Sequence, residues 1–472
     1  MKKVFLLNSL TQISNREHIH FLRDYSGPEL PNSMIYPPLD LAYTAALLRK
    51  NNILVTLLDA STLHISNSEV IKIIDKGKPD FVGIPSAWLS IHSDLDLAKN
   101  LKNKLPSVKI IFSGPNVTVE PDIALSTGYV DYVALGEPEK PFLDIVNGVM
   151  NENIAYRSDG KSIVTKRTLL QDLDTFPFPA RDLLPNERYR APYVRKNPFT
   201  SISTSRGCPY SKCIFCPTNI WYMNQVRYRS VENVIQEIDE IINKFKIYSI
   251  IFRDQSLTFE QGRLVRLCEE IIRKGYFISW RCFSGVKDVN KNLLSIMKKA
   301  GCYQISYGFE SGSQEILDLS NKGITLAESM DASRLTREAG IEVSGSFMLG
   351  MWGDTEETIK KTIDFAVKLN LDYAEFILAT PFPSTKFYEQ CGFSEKKPLR
   401  LSRHWYNRSY NSNIFLDEDF LLKQLKNAYK RFYLRPRYIF NRLFSTASLK
   451  QLALQMQMAV SLLKELLIDT GQ

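Results

Sequence analysis

The fold of this chain is decided by one stretch, Ser205-Arg206-Gly207-Cys208-Pro209-Tyr210-Ser211-Lys212-Cys213-Ile214-Phe215-Cys216. Three of the chain's seven cysteines fall within nine residues here. Three thiolates that converge on one point suit a soft metal centre. A structural zinc site takes four protein ligands, and no second Cys or His pair follows nearby at the spacing of a zinc finger. An iron–sulfur cluster with one open iron therefore fits better than a zinc knuckle or the packing of small buried thiols.

The cysteine stretch resembles the cluster loop of the radical S-adenosylmethionine (SAM) enzymes, which has the form RGCP-aromatic-x-C-x-aromatic-C. In that family the three cysteines, here Cys208, Cys213 and Cys216, hold a 4Fe–4S cluster whose open iron binds the amino and carboxyl groups of SAM. Phe215 matches the family position whose side chain packs near the adenine of SAM. The usual gap between the first two cysteines is three residues, whereas residues 209–212 make four, so we expect the loop to bulge.

The composition is that of an ordinary globular protein, with 44% hydrophobic and 24% charged residues, and the length of 472 residues predicts two or three domains. No run of eighteen apolar residues occurs and the chain enters an apolar strand directly after Met1-Lys2-Lys3, so we expect neither a membrane span nor a cleavable signal. The expected location is cytoplasmic, where a reducing environment preserves thiolate ligands. The other four cysteines, Cys268, Cys282, Cys302 and Cys391, stand singly and are interpreted as packing residues.

Residues 1–150 alternate short apolar runs with helical patterns, which predicts a doubly wound, Rossmann-like α/β domain. The predicted strands are Val4–Asn8, Leu54–Asp59, Phe81–Pro85, Val108–Ser113 and Tyr132–Leu135. The predicted helices are Leu39–Lys50, Val70–Lys76, Ser93–Asn103 and Val117–Ser126. Ligands of such sheets bind at the carboxyl ends of the strands. Turns containing Asn116 and Gly136 lie there, after the fourth and fifth predicted strands.

Because it precedes a radical SAM loop, this domain resembles the cobalamin-binding domain of the class B radical SAM methylases. Tyr36-Pro37-Pro38-Leu39-Asp40-Leu41 and Leu135-Gly136-Glu137 resemble pieces of that family. The resemblance implies that cobalamin binds near Asn116 and the turn at 135–137. The Asp-x-His-x-x-Gly element that gives cobalt a histidine in some cobalamin proteins is absent. His18 and His20 follow the first strand and are interpreted as solvated loop residues, so we expect cobalamin to bind without a histidine ligand.

Residues 199–400 resume the βα alternation after a proline-rich connector at 151–198, which is expected to be extended. The predicted strands are Thr200–Thr204, Tyr248–Arg253, Phe277–Cys282, Tyr303–Gly308, Glu342–Met348 and Tyr373–Ala379. Six such units resemble the partial (β/α)6 TIM barrel of the radical SAM enzymes, in which function lies at the carboxyl ends of the strands. The cluster loop follows the first of these strands.

Polar residues and glycines end several of the barrel strands, and the family resemblance places them near SAM. They are Asp254 and Gln255 after the second strand, Arg281 at the end of the third, Glu310 and Ser311 after the fourth, and Gly345 and Gly350 along the fifth. Asp254 can also cap a loop, and Arg281 can pair with a carboxylate or with solvent. Asp354 or Thr355 is further expected to cap the next helix. The pattern assigns no side chain as a general acid or base.

Residues 401–472 are predicted to form a basic helical C-terminal region. From Phe420 to Gln472 nine Lys and Arg residues stand against Glu465 and Asp469. One interpretation is a solvated helix face on a helix packed against the barrel. The other is a surface for an anionic lipid, a glycan carrier or membrane headgroups, which means peripheral membrane contact.

The resemblance implies an enzyme in which an external electron donor reduces the cluster and SAM is cleaved to methionine and a 5′-deoxyadenosyl radical. Cobalamin then delivers a methyl group to an unactivated carbon of a small molecule, lipid or glycan. Relatives with this architecture also perform cyclisation or rearrangement at a radical centre. An RNA-modifying methylthiotransferase or an RNA-binding module is a further alternative. No nucleic-acid partner is expected, because the basic residues lack the pattern of an RNA-binding fold.

Overall fold

This computed structural model describes residues 1–10, 35–88, 90–191, 193–393 and 416–445. His18, His20 and residues 446–472 of the predicted basic region lie outside the described residues. The described chain divides into two compact units. The N-terminal unit contains residues 1–10, 35–189 and 218–223, and the barrel unit contains residues 190–217, 224–393 and 416–445. The division into domains at residues 150, 198 and 400 stays a prediction.

The described residues of the N-terminal unit form a seven-stranded sheet. Its strands are β1 (Lys3–Asn8), β2 (Leu54–Asp59), β3 (Phe81–Pro85), β4 (Lys109–Ser113), β5 (Tyr132–Ala134), β6 (Ile154–Ser158) and β7 (Lys161–Val164). Its helices are α1 (Leu39–Lys50), α2 (Ala60–Leu63), α3 (Asn67–Gly77), α4 (Ile91–Lys104), α5 (Pro115–Val119), α6 (Asp122–Leu125), α7 (Glu139–Asn147) and α8 (Thr218–Tyr222).

The strand order in this sheet is β2-β1-β3-β4-β5-β6-β7, and β1 to β5 pair in parallel. The chain therefore reverses its direction of winding between β1 and β3, which is where doubly wound sheets bind their ligands. The doubly wound fold predicted for this region is confirmed, because the five predicted strands match β1 to β5 to within one residue at each end.

Two local predictions in the N-terminal unit are wrong. The helix predicted at Val117–Ser126 is two short helices, α5 and α6, because Pro121 between them has no N–H for a continuous helix ladder. The connector is not extended throughout, since short 3-10 turns occur at Leu173–Thr175, Arg181–Leu183 and Asn186–Arg188. The sequence analysis also omitted β6 and β7, which add to the sheet as antiparallel strands. Much of β7 is exposed, so it lacks the apolar run that identified the other strands.

The barrel unit is built on six parallel strands in the order β15-β14-β13-β12-β11-β8. They are β8 (Thr200–Ile202), β11 (Ser249–Phe252), β12 (Ser279–Ser284), β13 (Cys302–Glu310), β14 (Glu342–Leu349) and β15 (Tyr373–Leu378), and the short strands β9 (Ser205–Arg206) and β10 (Arg227–Tyr228) form a separate pair. The helices are α9 (Val231–Phe245), α10 (Gln261–Arg273), α11 (Lys291–Lys299), α12 (Gln314–Leu319), α13 (Leu326–Glu338), α14 (Glu356–Lys368), α15 (Lys386–Gln390), α16 (Glu418–Tyr433) and α17 (Pro436–Ser445). The predicted partial (β/α)6 barrel is confirmed.

Alternate residues of the barrel strands face two different environments. On β13, Ile305, Tyr307 and Phe309 belong to the hydrophobic core beneath the helices. The residues between them therefore face the other side of the sheet, the lumen of the barrel. By this alternation the lumen-facing positions of three neighbouring strands are Ser306 and Gly308 of β13, Ser344, Ser346 and Met348 of β14, and Tyr373, Glu375 and Ile377 of β15, while Glu310 lies beyond a register shift at the end of β13. Closed barrels fill this space with Val, Ile and Leu, so the lumen here is more polar than usual.

The C-terminal helices cover the outer edge of β15. The Tyr433 hydroxyl donates to the carbonyl oxygen of Ala374 (2.7 Å) and accepts from its N–H (3.1 Å). Tyr429 makes the same pair of bonds to Phe376, at 3.0 and 3.3 Å. In the described part of the basic region, the prediction of a helix packed against the barrel is thus confirmed. The tyrosine hydroxyls take the hydrogen-bonding groups that a neighbouring strand would otherwise use.

Three of the four single cysteines are buried. Cys268, Cys282 and Cys302 lie in the core between the barrel sheet and its helices, which confirms the packing role predicted for them. Cys391 is half-buried and packs against a smaller apolar cluster that contains Ile214 of the cluster loop.

Candidate active site

The cluster loop starts at a glycine whose backbone other residues rarely adopt. Gly207 has φ +104°, and a Cβ there would lie 1.9 Å from the carbonyl oxygen of Gln225. Around this point β9 and β10 pair antiparallel, with Arg206 opposite Arg227. The close approach of the two backbones fixes the base of the loop from which Cys208 projects.

The three thiols of the loop share one electrostatic environment. Cys208, Cys213 and Cys216 are half-buried, and none of the seven cysteines of the chain forms a disulfide. Burial raises the pKa of the Cys213 thiol to about 12, with Lys322 acting in the opposite direction and Cys216, Glu310 and Cys208 adding to the rise. A thiol with this environment ionises at neutral pH only when a metal or a nearby cation stabilises the thiolate.

The donor set suits a cluster better than a single ion. No group of three or more His, Cys, Asp or Glu side chains in the described residues is arranged to hold one metal ion. In a 4Fe–4S cluster each cysteine binds a different iron, so the thiolates stand further apart than the ligands of one zinc ion. Three cysteines without disulfides on a nine-residue loop fit that requirement. The assignment of Cys208, Cys213 and Cys216 as the ligands stays a prediction.

Asp254, predicted near SAM, is buried beneath the start of the cluster loop. Its carboxylate accepts from the backbone N–H of Thr204 (3.1 Å) and from the hydroxyls of Thr204 (2.7 Å) and Ser205. Arg263 donates to the hydroxyl and the carbonyl oxygen of the same threonine, at 3.0 and 3.1 Å. These contacts give Asp254 the geometry of a residue that positions the loop, while a direct contact with SAM stays a prediction.

Gln255 follows Asp254 and carries a buried amide nitrogen with no hydrogen-bond partner among the described residues. A buried donor without a partner is costly, which marks the amide as a group that a bound ligand can satisfy. Arg281 is buried, and its guanidinium lies 4.3 Å from the centre of the Tyr193 ring. The prediction that Arg281 ends the third barrel strand is wrong, because β12 continues to Ser284 and places Arg281 in mid-strand.

Glu310 ends β13 in a strained conformation beside the thiols. Its φ is +62°, in the left-handed region that non-glycine residues rarely adopt, and the register of β13 against β14 shifts between Gly308 and Glu310. Its carboxylate pairs with Lys322 at 2.7 Å, and both side chains are nearly buried. Strain of this kind persists where the surrounding structure enforces it, as at functional sites.

Three further residues predicted near SAM have structural partners in the barrel unit. The Ser311 hydroxyl lies 3.0 Å from the hydroxyl of Thr362 on α14. A Cβ on Gly345 would lie 2.6 Å from the ring of Phe309, so the glycine is required by packing on the helix side of the sheet. Gly350 has φ +83°, and its N–H donates to the Asp354 carboxylate at 2.9 Å. Their proximity to SAM stays a prediction.

Phe215 lies with apolar residues at the carboxyl end of the barrel. It packs against a cluster that includes Ile214, Met348, Met351 and Phe387. Met348 and Met351 come from the end of β14 and the turn after it, the edge at which barrel enzymes bind their substrates. The packing of Phe215 near the adenine of SAM stays a prediction.

The carboxyl edge of the N-terminal sheet carries buried polar groups that lack partners. Asn116, just after β4, donates to the hydroxyl of Ser86 at 3.2 Å, but its side-chain oxygen is buried with no hydrogen-bond partner in the described chain. The side-chain oxygen of Asn8, at the end of β1, is in the same state. Thr44 lines a small cavity with Ser113, and its buried hydroxyl also finds no partner in the described chain. These groups suit a large polar ligand such as cobalamin at the switch point.

Gly136, predicted near cobalamin, lies in the turn after β5. Its N–H donates to the Thr118 hydroxyl at 2.9 Å, and a Cβ there would lie 2.6 Å from the guanidinium of Arg167. Arg167 in turn donates to the carbonyl oxygens of Ile220 and Trp221 on α8, at 2.5 and 3.1 Å. The glycine thus makes room for the arginine that holds α8, and the role of Gly136 in binding cobalamin stays a prediction.

The sequence analysis missed four polar residues of these sites, Lys322, Arg263, Asn8 and Thr44. Lys322 and Arg263 lie on a loop and a helix outside every recognised motif, and only folding brings them to the cluster loop. Asn8 and Thr44 stand in apolar stretches where an isolated polar residue carries no signal of its own.

In the described residues no helix is long and apolar enough to cross a membrane.

Two family models match separate parts of the chain. The model described as the radical SAM superfamily matches residues 202–366, and the B12 binding domain matches residues 33–146. The first range contains the cluster loop and β11 to β14, and the second contains α1 and β2 to β5.

Relatives span both parts. An uncharacterized methyltransferase of Pyrococcus horikoshii is 33% identical over 86% of this chain and 90% of its own length. The anaerobic magnesium-protoporphyrin IX monomethyl ester cyclase of Rubrivivax gelatinosus is 26% identical over 86% of this chain and 75% of its own length. Among solved structures, the radical SAM methyltransferase TsrM from Kitasatospora setae, with cobalamin and a 4Fe–4S cluster bound, superposes with a TM-score of 0.68 at 16% identity, covering 93% of this chain and 90% of that one. That structural likeness supports the fold alone.

In this chain the radical SAM match contains the loop of three cysteines and most of the barrel strands, and the B12 binding match contains most of the doubly wound sheet. The chain therefore belongs to the cobalamin-dependent radical SAM methyltransferase family, and it is an enzyme whose cofactors are a 4Fe–4S cluster, SAM and cobalamin.

Proposed function

We propose that this enzyme transfers a methyl group to an unactivated carbon of a small polar molecule held in the barrel lumen. When bound, the cluster and SAM supply the radical that activates the carbon, and cobalamin supplies the methyl group. The observation that carries the proposal is the arrangement of the barrel sheet. The cluster loop follows β8, Gln255 follows β11 and Glu310 ends β13. All three therefore lie at the carboxyl edge of one parallel sheet, where the polar lumen opens.

The residues around the cluster loop are proposed to bind and orient, without a proton-transfer role. Cys208, Cys213 and Cys216 hold the cluster. The free amide of Gln255 donates to SAM, and the Glu310 carboxylate accepts from the ribose hydroxyls. Such fixed partners exclude water and hold the reacting groups in line, which is the contribution a protein makes to radical chemistry.

Cobalamin is proposed to bind at the carboxyl edge of the N-terminal sheet. The side-chain oxygen of Asn116, which has no hydrogen-bond partner in the described residues, lies at this edge together with the turn at Gly136. The sequence lacks the Asp-x-His-x-x-Gly element, and we propose that cobalamin binds without a histidine ligand.

The lumen favours a polar substrate over a lipid. Its positions on β13 and β14 include Ser306, Ser344 and Ser346, and a lipid chain would offer these hydroxyls no hydrogen bonds. Two cations in the described part of the basic region also make contacts within the barrel unit. Arg435 donates to the carbonyl oxygen of Val367, and Arg442 pairs with Asp372 at 3.5 Å. Peripheral membrane contact is kept as a separate hypothesis, for which co-sedimentation with anionic vesicles at low salt is the test. Seven cysteines without a disulfide support a cytoplasmic location.

A radical cyclase is the second candidate, because a relative at 26% identity is a cyclase. The two functions differ in the mass of the product, since methylation adds one carbon and cyclisation adds none. RNA modification is disfavoured because Arg435 and Arg442, two of the basic residues that lent it support, have partners in the barrel unit.

The decisive experiment is anaerobic reconstitution of the full chain followed by assay of iron, sulfide and cobalt. We expect about four irons and four sulfides per chain and one cobalamin. Replacement of Cys208, Cys213 or Cys216 by alanine should abolish iron uptake, whereas Cys391→Ala, a half-buried thiol outside the loop, should not. Full iron content in the three loop variants would end the proposed ligand assignment. Full methylation activity without cobalamin would end the methyl-transfer proposal.

A further inference from the structure

The cluster loop absorbs its extra residue in one bulge. Ser211 has φ +50°, which places it in the left-handed region, while the flanking Tyr210 and Lys212 do not have positive φ. The Ser211 hydroxyl donates to the carbonyl oxygen of Cys208, which closes the bulge on itself. The additional length between Cys208 and Cys213 is therefore confined to a single strained residue.

One residue from another loop holds both sides of that bulge. The carbonyl oxygen of Asn321 accepts from the Tyr210 hydroxyl at 2.9 Å. The side-chain amide of Asn321 donates to the carbonyl oxygen of Lys212 at 3.0 Å. Tyr210 and Lys212 stand immediately before and after Ser211, so Asn321 spans the bulge from outside.

The neighbours of Asn321 complete the same contact. The carbonyl oxygen of Ser320 accepts from the N–H of Ile214, the residue after Cys213, at 3.1 Å. Gly323 has φ +69°, and a Cβ there would lie 2.1 Å from the hydroxyl oxygen of Tyr210, so the tyrosine ring rests in the space that the glycine leaves. Residues 320–323 follow α12 and lie far from the cluster loop in sequence, yet three of them contact it.

We propose that residues 320–323, which we name the clamp loop, position Cys213 for the cluster by holding the bulge from both sides. The proposal rests on the ligand set proposed above. A loop with one residue too many can place its second cysteine in several ways, and a strained bulge needs surrounding contacts to keep one of them. Asn321 provides these contacts, and Lys322 beside it pairs with Glu310 at 2.7 Å.

The test compares two asparagines of the same backbone type. Asn321→Asp replaces the amide donor by a carboxylate that repels the carbonyl oxygen of Lys212, and Asp tolerates the left-handed φ of +50°. Asn370→Asp is the matched control, because Asn370 has φ +51° and follows α14, away from the cluster loop. We expect the reconstituted Asn321→Asp enzyme to release iron to a chelator about five-fold faster than wild type. Its reduced cluster should also give an altered electron paramagnetic resonance spectrum, and Asn370→Asp should match wild type in both.

Each other outcome decides the question. Equal rates of iron release by Asn321→Asp and Asn370→Asp would overturn the proposed role of the clamp loop. If Asn321→Asp also lowers the melting temperature of the apoprotein, Tyr210→Phe decides, since it removes one hydroxyl and keeps the ring over Gly323, and wild-type behaviour there overturns the proposal. In a variant with Ser211 deleted the clamp loop has no bulge to hold, so adding Asn321→Asp should not further change the rate of iron release. Full iron content in Cys213→Ala would instead refute the ligand set, which distinguishes the two failures.

Discussion

The barrel unit and the N-terminal unit both carry polar side chains at the carboxyl edge of a parallel sheet, but they use them differently. In the barrel unit, Asp254 and Asp354 already accept hydrogen bonds from backbone N–H groups next to the cluster loop or the end of β14. In the N-terminal unit, the oxygens of Asn116 and Thr44 are buried without partners among the described residues. A satisfied network is rigid before any ligand arrives, whereas unsatisfied groups gain their partners from the ligand. The carboxylates of the barrel site are therefore preorganised, although the Gln255 amide beside them has no partner in the described residues, and the proposed cobalamin site would gain its partners on binding.

The largest effect should come from breaking the framework below the cluster loop. Arg229 and Glu237 form an ion pair whose side chains are 6% and 0% exposed, and Arg229 also donates to the carbonyl oxygen of Ser203 at 3.1 Å. Glu237→Ala leaves a buried guanidinium without its carboxylate, so we expect the free energy of unfolding to fall by about 3–5 kcal/mol. Urea denaturation of the apoprotein measures it. Glu240→Ala, on the same helix with an exposed partner in Lys244, should cost about 0.5 kcal/mol or less. Equal losses would contradict a preorganised barrel.

The next effect depends on pH. Burial raises the pKa of Asp354 to about 6, although Thr358 and the N–H groups of Met351 and Gly350 donate to its carboxylate. Between about pH 4 and pH 6 the folded state therefore binds more protons at this site than the unfolded state, so its contribution to stability is lost as the pH rises. The loss reaches up to about 3 kcal/mol.

The measurement for Asp354 is the difference in unfolding free energy between wild type and Asp354→Asn from pH 4 to pH 7. We expect the wild type to lose stability relative to the variant across this range. Asp331→Asn, an exposed site on α13, should run parallel to wild type. A parallel curve for Asp354→Asn would mean that this carboxylate stays charged, as an exposed one does.

A matched pair of threonines tests the contrast between the units most directly. On α14, Thr362 accepts from the N–H of Gly312 at 3.0 Å and lies 3.0 Å from the Ser311 hydroxyl. Thr362→Val leaves the Gly312 N–H and the Ser311 hydroxyl without this partner, so we expect the free energy of unfolding to fall by about 1–3 kcal/mol. Thr44→Val removes a hydroxyl that has no partner, so it should leave stability unchanged or raise it by up to about 1 kcal/mol while weakening the binding of cobalamin. Thermal denaturation and cobalamin titration give the two readouts, and equal destabilisation would erase the distinction drawn here.

The parallel strands of both sheets followed from sequence because buried parallel strands are continuous apolar runs that local pattern reveals, whereas β6 and β7 and the order of the strands did not. The cysteine triplet was equally visible, since its spacing is local. What sequence could not reveal is the use of each polar residue. Asp254 and Ser311 stand where the family resemblance places SAM contacts, yet their hydrogen-bond partners include Thr204 and Thr362, which only the packed structure brings near. Lys322 could not be identified from sequence, because it belongs to no motif and reaches Glu310 only in the folded chain.

The smallest effect concerns the open edges of the two sheets. The N-terminal sheet ends on β7, where Val164 is 56% exposed, whereas the last barrel strand has its N–H and C=O groups taken by tyrosine hydroxyls. Tyr433→Phe removes one hydroxyl and leaves both polar groups of Ala374 without it, so we expect a loss of about 1 kcal/mol in unfolding free energy. Tyr248→Phe, at a largely exposed ring, is the control and should change nothing measurable. A cost larger than that of Thr362→Val would mean that the barrel depends more on its covered edge than on the network beside its site.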